Sequence, residues 1–173
     1  MNGVLQTERL LLRRLTEDDW EDLCEILQDA ETMYAYEHAF SEREARAWLE
    51  NQLARYARDG LGLWAVTDRD TGDFLGQAGL TWQDAGGSRE LEIGYLFKRR
   101  HWHNGYAAEA ACGCRDYAFG TLNHPRVVSM IRTNNYASQR VAQRVGMRRE
   151  RQFIKRYYGM DMLHYVYAVQ RAR

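Results

Sequence analysis

Residues 90–110 read ELEIGYLFKRRHWHNGYAAEA. The first eight, Glu90–Phe97, alternate with the two-residue period of a strand, putting Glu90 and Glu92 on one face and Leu91, Ile93 and Tyr95 on the other. Gly94 in mid-strand suggests a bulge or a close backbone approach. Asn104-Gly105 is turn chemistry. Beyond it, Ala107, Ala110, Ala111, Cys114 and Ala118 line one side of a helix predicted over 107–120. A strand, a glycine turn and a helix start in succession bring unpaired N–H groups and a positive dipole end to one place, where an anionic group is the natural guest. The turn has neither the G-x-x-x-x-G-K-[ST] of a phosphate loop nor the G-x-G-x-x-G of a dinucleotide fingerprint. A backbone nest over a diphosphate fits it, and so does a plain connector.

Working outward, Leu10–Leu15 reads as a strand, and Thr16 caps a helix with Glu17, Asp18 and Asp19 in its first turn. Ser41-Glu42-Arg43-Glu44 is a capping box opening a second helix, which Gly60 ends. Between the two helices lies Glu31–Phe40, an unusually aromatic linker. Gly62–Thr67 and Phe74–Trp82 are strands that form a meander with Glu90–Phe97. Val127–Ile131 is a short strand, 134–147 a capped helix ended by Gly146, and two strands near 147–155 and 161–169 close the chain. The order β-α-α-β-β-β-α-β-α-β-β predicts an α/β (mixed α+β) fold: one domain over residues 1–173, with a mixed sheet of six to seven strands and about four flanking helices.

The chain of 173 residues, 45% apolar and 28% charged, has ordinary globular composition. It contains no apolar run of membrane-spanning length and no signal-peptide core, so a cytoplasmic location without membrane contact is expected. Three cysteines, Cys24, Cys112 and Cys114, do not make a disulfide framework. Net charge is zero but uneven: residues 1–60 carry 14 Asp/Glu and 7 Lys/Arg, and residues 61–173 carry 10 and 17. Either each half has solvated faces, or an anionic ligand sits on the second half and a cationic one nearer the first. The run 144–156 has six basic residues against Glu150. A nucleic-acid patch is the weaker reading of it, because no recognised module accompanies the run.

Several side chains are candidates for chemistry. A partly buried strand carboxylate such as Glu92 has its pKa raised towards neutrality and suits proton acceptance; an edge-strand glutamate would merely be solvated. Asn134, Asn135 and Ser138 are ordinary caps unless other functional groups lie beside them. Tyr34, Tyr36 and Glu37 in the linker could line a cleft and attract a cation, or could simply pack the helices onto the sheet. His101, His103, Cys112 and Cys114 match no zinc spacing, and no metal is expected.

The segments TERLLLRRLTEDD (7–19), LEIGYLF (91–97), WHNGYAAEA (102–110), NNYASQRVAQRVGM (134–147) and YYGMDMLHYVYAV (157–169) together resemble a GNAT-superfamily N-acetyltransferase, in the branch of the ribosomal-protein N-terminal (alanine/serine) acetyltransferases. The resemblance implies a sheet splayed at its centre and an acetyl-CoA cosubstrate without metal. It puts the pyrophosphate loop on His103, Asn104, Gly105, Tyr106, Ala107 and Ala108. The strand that opens beside the pantetheine arm falls on Tyr95, Leu96 and Phe97. Asn135 and Ser138 match the family's Asn-x-x-Ser, with Ser138 the proton donor to the leaving thiolate. Glu92 matches a general-base position and Asp161 a recurrent Asp of the closing hairpin. Two departures stand out: His103 and Asn104 replace the common Gly-Lys, and Ala142 stands where many members have a tyrosine acid.

The reaction implied is direct attack of a primary amine on the thioester, without a covalent enzyme intermediate. A peptide N-terminal α-amine is favoured, of a ribosomal protein among others; a polyamine, amino acid or antibiotic, or a non-catalytic acyl-CoA-binding module, is the alternative. A homodimer is compatible with this resemblance.

Overall fold

A computed structural model describes residues 3–172. Its strands are β1 (Leu5–Gln6), β2 (Leu10–Arg13), β3 (Gly62–Asp68), β4 (Phe74–Asp84), β5 (Arg89–Phe97), β6 (Arg126–Arg132), β7 (Arg148–Tyr157) and β8 (Met160–Gln170). The helices are α1 (Trp20–Leu27), α2 (Glu42–Asp59), α3 (Tyr106–Gly120) and α4 (Tyr136–Arg144). The eight strands form one mixed sheet in the order β1-β2-β3-β4-β5-β6-β8-β7. The strand beyond the expected seven is β1, a two-residue edge pairing Leu5 with Leu12, too short for any hydrophobic period to register.

Strand alternation sorts the helices onto two faces. Trp64 and Ala78 are cross-strand partners, and Trp64 meets the Tyr117 ring of α3 edge-on at 5.7 Å. The neighbouring pair, Ala65 and Gln77, points the other way, where Trp48 of α2 donates to Gln77 Oε1 at 3.0 Å. Helices α1 and α2 therefore cover one face, and α3 and α4 the other. Apolar residues of the α3 and α4 layer pack against Trp64, Leu80, Leu91 and Ile93, all on that face and essentially inaccessible to water. Gly113 lets α3 approach β1: a Cβ there would lie 2.8 Å from Thr7 Cγ2.

The first helix begins later than the capping signal suggests. Glu17–Asp19 form a 3-10 turn because the Asp19 carboxylate folds back, accepting from the Thr16 N–H at 2.8 Å and pairing with Arg13 at 2.7 Å. The charge asymmetry also has an internal explanation. Lys98 Nζ lies 2.5 Å from Asp22 and 2.6 Å from Glu25, Arg99 pairs with Asp29 and Glu31, and Arg100 pairs with Glu25. Much of the acidic first third thus neutralises the KRR segment that follows β5. The basic run is likewise divided, because successive residues of β7 alternate between an outward and an inward face.

Candidate active site

The sheet opens between β5 and β6. The two run parallel but share a single bridged pair, Glu92 with Val128. Side chains take over where backbone pairing stops: Ser129 Oγ donates to Ile93 O at 2.9 Å, and the Met130 N–H donates to Glu92 Oε2 at 2.9 Å. On its other side β5 stays paired with β4 as far as Phe97, opposite Gly76. Residues Gly94–Phe97 therefore have one paired edge and one that faces the opening. Gly94 is neither bulged nor crowded: it pairs in register with Gly79, and a Cβ there would meet only Leu63 Cδ2, at 3.4 Å. The glycine leaves open space in the α2 face beside Glu92.

At the end of β5 the chain builds a nest of amides. A 3-10 turn over Arg99–His101 is followed by His103 at φ +64° and Gly105 at φ +79°. Histidine is among the few side-chain-bearing residues that enter the left-handed region readily, so the backbone there accepts His103 in place of glycine. The first backbone bond of α3 is Glu109 N–H to Gly105 O, 3.0 Å. Among the described residues, none of the N–H groups of residues 103–108 finds a protein acceptor. Six consecutive free donors at a helix start form the kind of cradle that receives a diphosphate.

The cradle is fixed by residues that carry no local signature of a role. Glu109 accepts from Thr7 Oγ1 (2.6 Å) and the Arg9 N–H (2.8 Å), and pairs with Arg9 Nε at 2.7 Å. Arg9 Nη2 donates to Asn104 O at 3.1 Å, and its guanidinium covers the Tyr106 ring at 4.5 Å. The signal was present in Thr7-Glu8-Arg9, but only proximity in space gives it meaning.

The strand and α4 meet across the opening. Tyr95 Oη donates to Ser138 O at 3.4 Å, and burial pushes the Tyr95 phenol up to about 12, so it keeps its proton at neutral pH. Asn135 caps α4 by accepting from the Ser138 N–H (3.2 Å) and also accepts from Tyr34 Oη at 2.6 Å. That second bond ties the 31–40 linker to α4. Ser138 is part-buried, while Ala142 is buried in the helix's packed face.

On the α2 face stands Glu92. Burial raises its carboxyl pKa, opposed by Lys155, the Met130 N–H and Arg55. Tyr36 lies within its electrostatic reach, its own pKa raised first by burial, and packs edge-on against Trp48 at 5.6 Å. Glu37 does not point into this group; its carboxylate meets His38 Nδ1 at 3.2 Å. Glu90 shares the face of Glu92 but is taken by Arg126 at 3.2 Å, and Asp161 is exposed on the hairpin, 3.8 Å from Arg156. Cys114 is buried in α3, and burial pushes its thiol far up, away from nucleophilic use. Among the described residues no group of three or more His, Cys, Asp or Glu side chains could hold a metal ion. Among the described residues no helix is long and apolar enough to cross a membrane.

Residues 9–148 match the family described as acetyltransferase (GNAT) domain. The chain belongs to the GNAT acetyltransferase family. It is 38% identical to the Bacillus subtilis (strain 168) protein YkkB over 144 residues, 83% of this chain and 84% of the other. An acetyltransferase from Agrobacterium tumefaciens str. C58 superposes with a TM-score of 0.82 at 29% identity, over 99% and 95% of the two chains. The ribosomal L7/L12 alpha-N-protein acetyltransferase RimL, solved in complex with coenzyme A, shares the fold at a TM-score of 0.79 but only 16% identity, over 98% of each chain. As a GNAT enzyme the protein uses acetyl-CoA and an amine acceptor. Its amide nest and opened β5 edge are the parts of this chain that could hold the diphosphate and the arm of that cosubstrate.

Proposed function

We propose that this GNAT enzyme acetylates an α-amine by direct transfer, with Glu92 as base and Ser138 as acid. The observation that carries the reading is the placement of Glu92. It is a carboxylate beside the break between β5 and β6, held by a single backbone N–H and shifted upward by burial, as suits a proton acceptor. Acetyl-CoA supplies the activated acyl group. Its diphosphate is held by the N–H groups of His103, Asn104, Gly105, Tyr106, Ala107 and Ala108, and its arm runs along Tyr95, Leu96 and Phe97.

An α-amine, with an ordinary pKa of roughly 8, reaches the site partly protonated. Glu92 takes that proton, directly or through water. The nitrogen then forms a bond to the acetyl carbon as the carbon–sulfur bond breaks, with a backbone N–H near Phe97 stabilising charge on the carbonyl oxygen. Ser138 gives its hydroxyl proton to the sulfur and recovers the second proton that the nitrogen sheds as the amide forms. The acceptor enters on the α2 face, between the linker that carries Tyr34 and Tyr36 and the closing hairpin. No acyl-cysteine is formed, because burial raises the thiol pKa of Cys24, Cys112 and Cys114 alike and all three sit on helices rather than at the opened strand. A cytoplasmic location and a peptide N-terminus, including that of a ribosomal protein, are compatible with this chemistry.

Gly105→Val tests the cofactor placement. At φ +79° a β-branched residue is strained, and it adds bulk beside the nest. Acetyl-CoA affinity measured by calorimetry should fall at least tenfold in a variant whose melting shows it folded. Unchanged affinity would move the diphosphate elsewhere.

A further inference from the structure

Two cations act on Glu92 from the acceptor side of the site. Arg55 projects from the last turns of α2, and Lys155 from the inward face of β7 that also carries Phe153 and Tyr157. Both are part-buried. Arg55 makes only a long bond to Gln52 Oε1, 3.4 Å, and the Lys155 ammonium lies over the Tyr157 ring at 4.7 Å. Among the described residues neither has a carboxylate oxygen within 4 Å. Arg13, Arg46, Lys98, Arg99, Arg100 and Arg126, by contrast, all do.

Both cations act electrostatically on Glu92, the carboxylate they share. The next carboxylates are engaged elsewhere: Asp84 accepts from the Gly87 N–H at 2.9 Å, and Asp59 is held by Arg58 at 2.7 Å. Withdrawing two cations from water without a counter-ion is unfavourable unless a ligand supplies one. A Lys and an Arg that both act on Glu92, each without a carboxylate partner of its own and one of them over an aromatic ring, can receive a small planar anion.

We propose that Arg55 and Lys155 bind a carboxylate of the acceptor, so that the acceptor is an amine carrying a carboxylate a few ångströms from its reacting nitrogen. The inference rests on the acetyl-transfer reading of the site. A polyamine brings only further positive charge and is disfavoured by the same two cations. The carboxylate has two sources, the α-carboxylate of a free amino acid or an acidic side chain next to a peptide N-terminus.

Acetyl-CoA binding is measured first by calorimetry. Thiol release is then followed with matched acceptors: free amino acids against their carboxamides, and peptides beginning Ser-Asp against Ser-Asn. The carboxylate member of at least one series should show a kcat/KM higher by roughly 10- to 100-fold, the range of a charge-assisted bond. The series that shows it identifies the source. Lys155→Met and Arg55→Met should each bring that ratio towards one, and the wild-type ratio stands by itself should either variant fail to fold. A ratio at or below one in both series, or spermidine outperforming both, overturns the proposal. So does acetyl-CoA binding with no acceptor of either series consumed, which leaves the transferase reading standing. Failure of acetyl-CoA to bind overturns that reading, and this inference with it.

Discussion

Replacing Glu92 with glutamine should make the enzyme nearly inactive and, at the same time, more stable. Glutamine keeps an oxygen to accept the Met130 N–H and fills the same space, so the change removes charge and little else. Removing a positioned base costs on the order of 10²–10⁴ in rate. Stability moves the other way, because burial raises the Glu92 pKa in the folded state. A raised pKa means that the folded protein binds the proton more tightly than the unfolded chain. Glu92 therefore costs nothing at pH below its unfolded value of about 4.3; its penalty builds as pH rises from there towards its folded value and is constant above it. Each unit of elevation is worth about 1.4 kcal/mol. In a chain of this size about 1 kcal/mol moves Tm by about 2–4 °C. Melting curves of wild type and Glu92→Gln from pH 4 to pH 8 should coincide at the acid end and separate in favour of the variant above it. Turnover should recover partly at high pH, where free amine accumulates. A variant with full activity, or one less stable than wild type at pH 8, would refute the assignment of a carboxylate whose burial outweighs its partners and which acts as base.

Ser138→Ala should lower kcat with little change in acetyl-CoA affinity. Tyr95→Phe tests the nearby phenol, which keeps its proton and donates to the Ser138 carbonyl; if Tyr95→Phe loses turnover and Ser138→Ala does not, Tyr95 is the acid. Asn135→Ala removes a helix cap worth about 1 kcal/mol and releases Tyr34. Amide exchange should therefore quicken in both α4 and the 31–40 linker, and quickening in α4 alone would show that the Tyr34 contact orders nothing.

The succession of strand, amide nest and helix was legible because each part has a local signature: alternation in ELEIGYLF, Asn-Gly, then alanines. The capping box at Ser41 and the glycine stop at Gly60 were legible for the same reason. What escaped depends on proximity between distant segments. Nothing in Thr7 or Arg9 reveals that both will lock Glu109, about a hundred residues away. Lys155 sat within a run of basic residues whose strand alternation turns it inward while Ile154 and Arg156 face water. The linker was expected to offer Glu37 to a cation; its carboxylate meets the imidazole of the next residue, His38, which no hydrophobic or charge pattern announces. The charge asymmetry was visible as a number, but its pairing across α1 and Lys98–Arg100 was not.

That pairing has a consequence in time as well as in space. The first 60 residues leave the ribosome with a net charge of −7, and the remainder carries +7. An unfolded chain so divided attracts itself end to end before any side chain has found its partner. The attraction spans only about 10 Å at 0.1 M salt and about 30 Å at 0.01 M. The encounter that seats α1 against Lys98, Arg99 and Arg100 is therefore steered in dilute buffer and left to diffusion in concentrated salt. The charges that balance each other in the finished fold also act earlier, shortening the search by which the two parts of the chain meet.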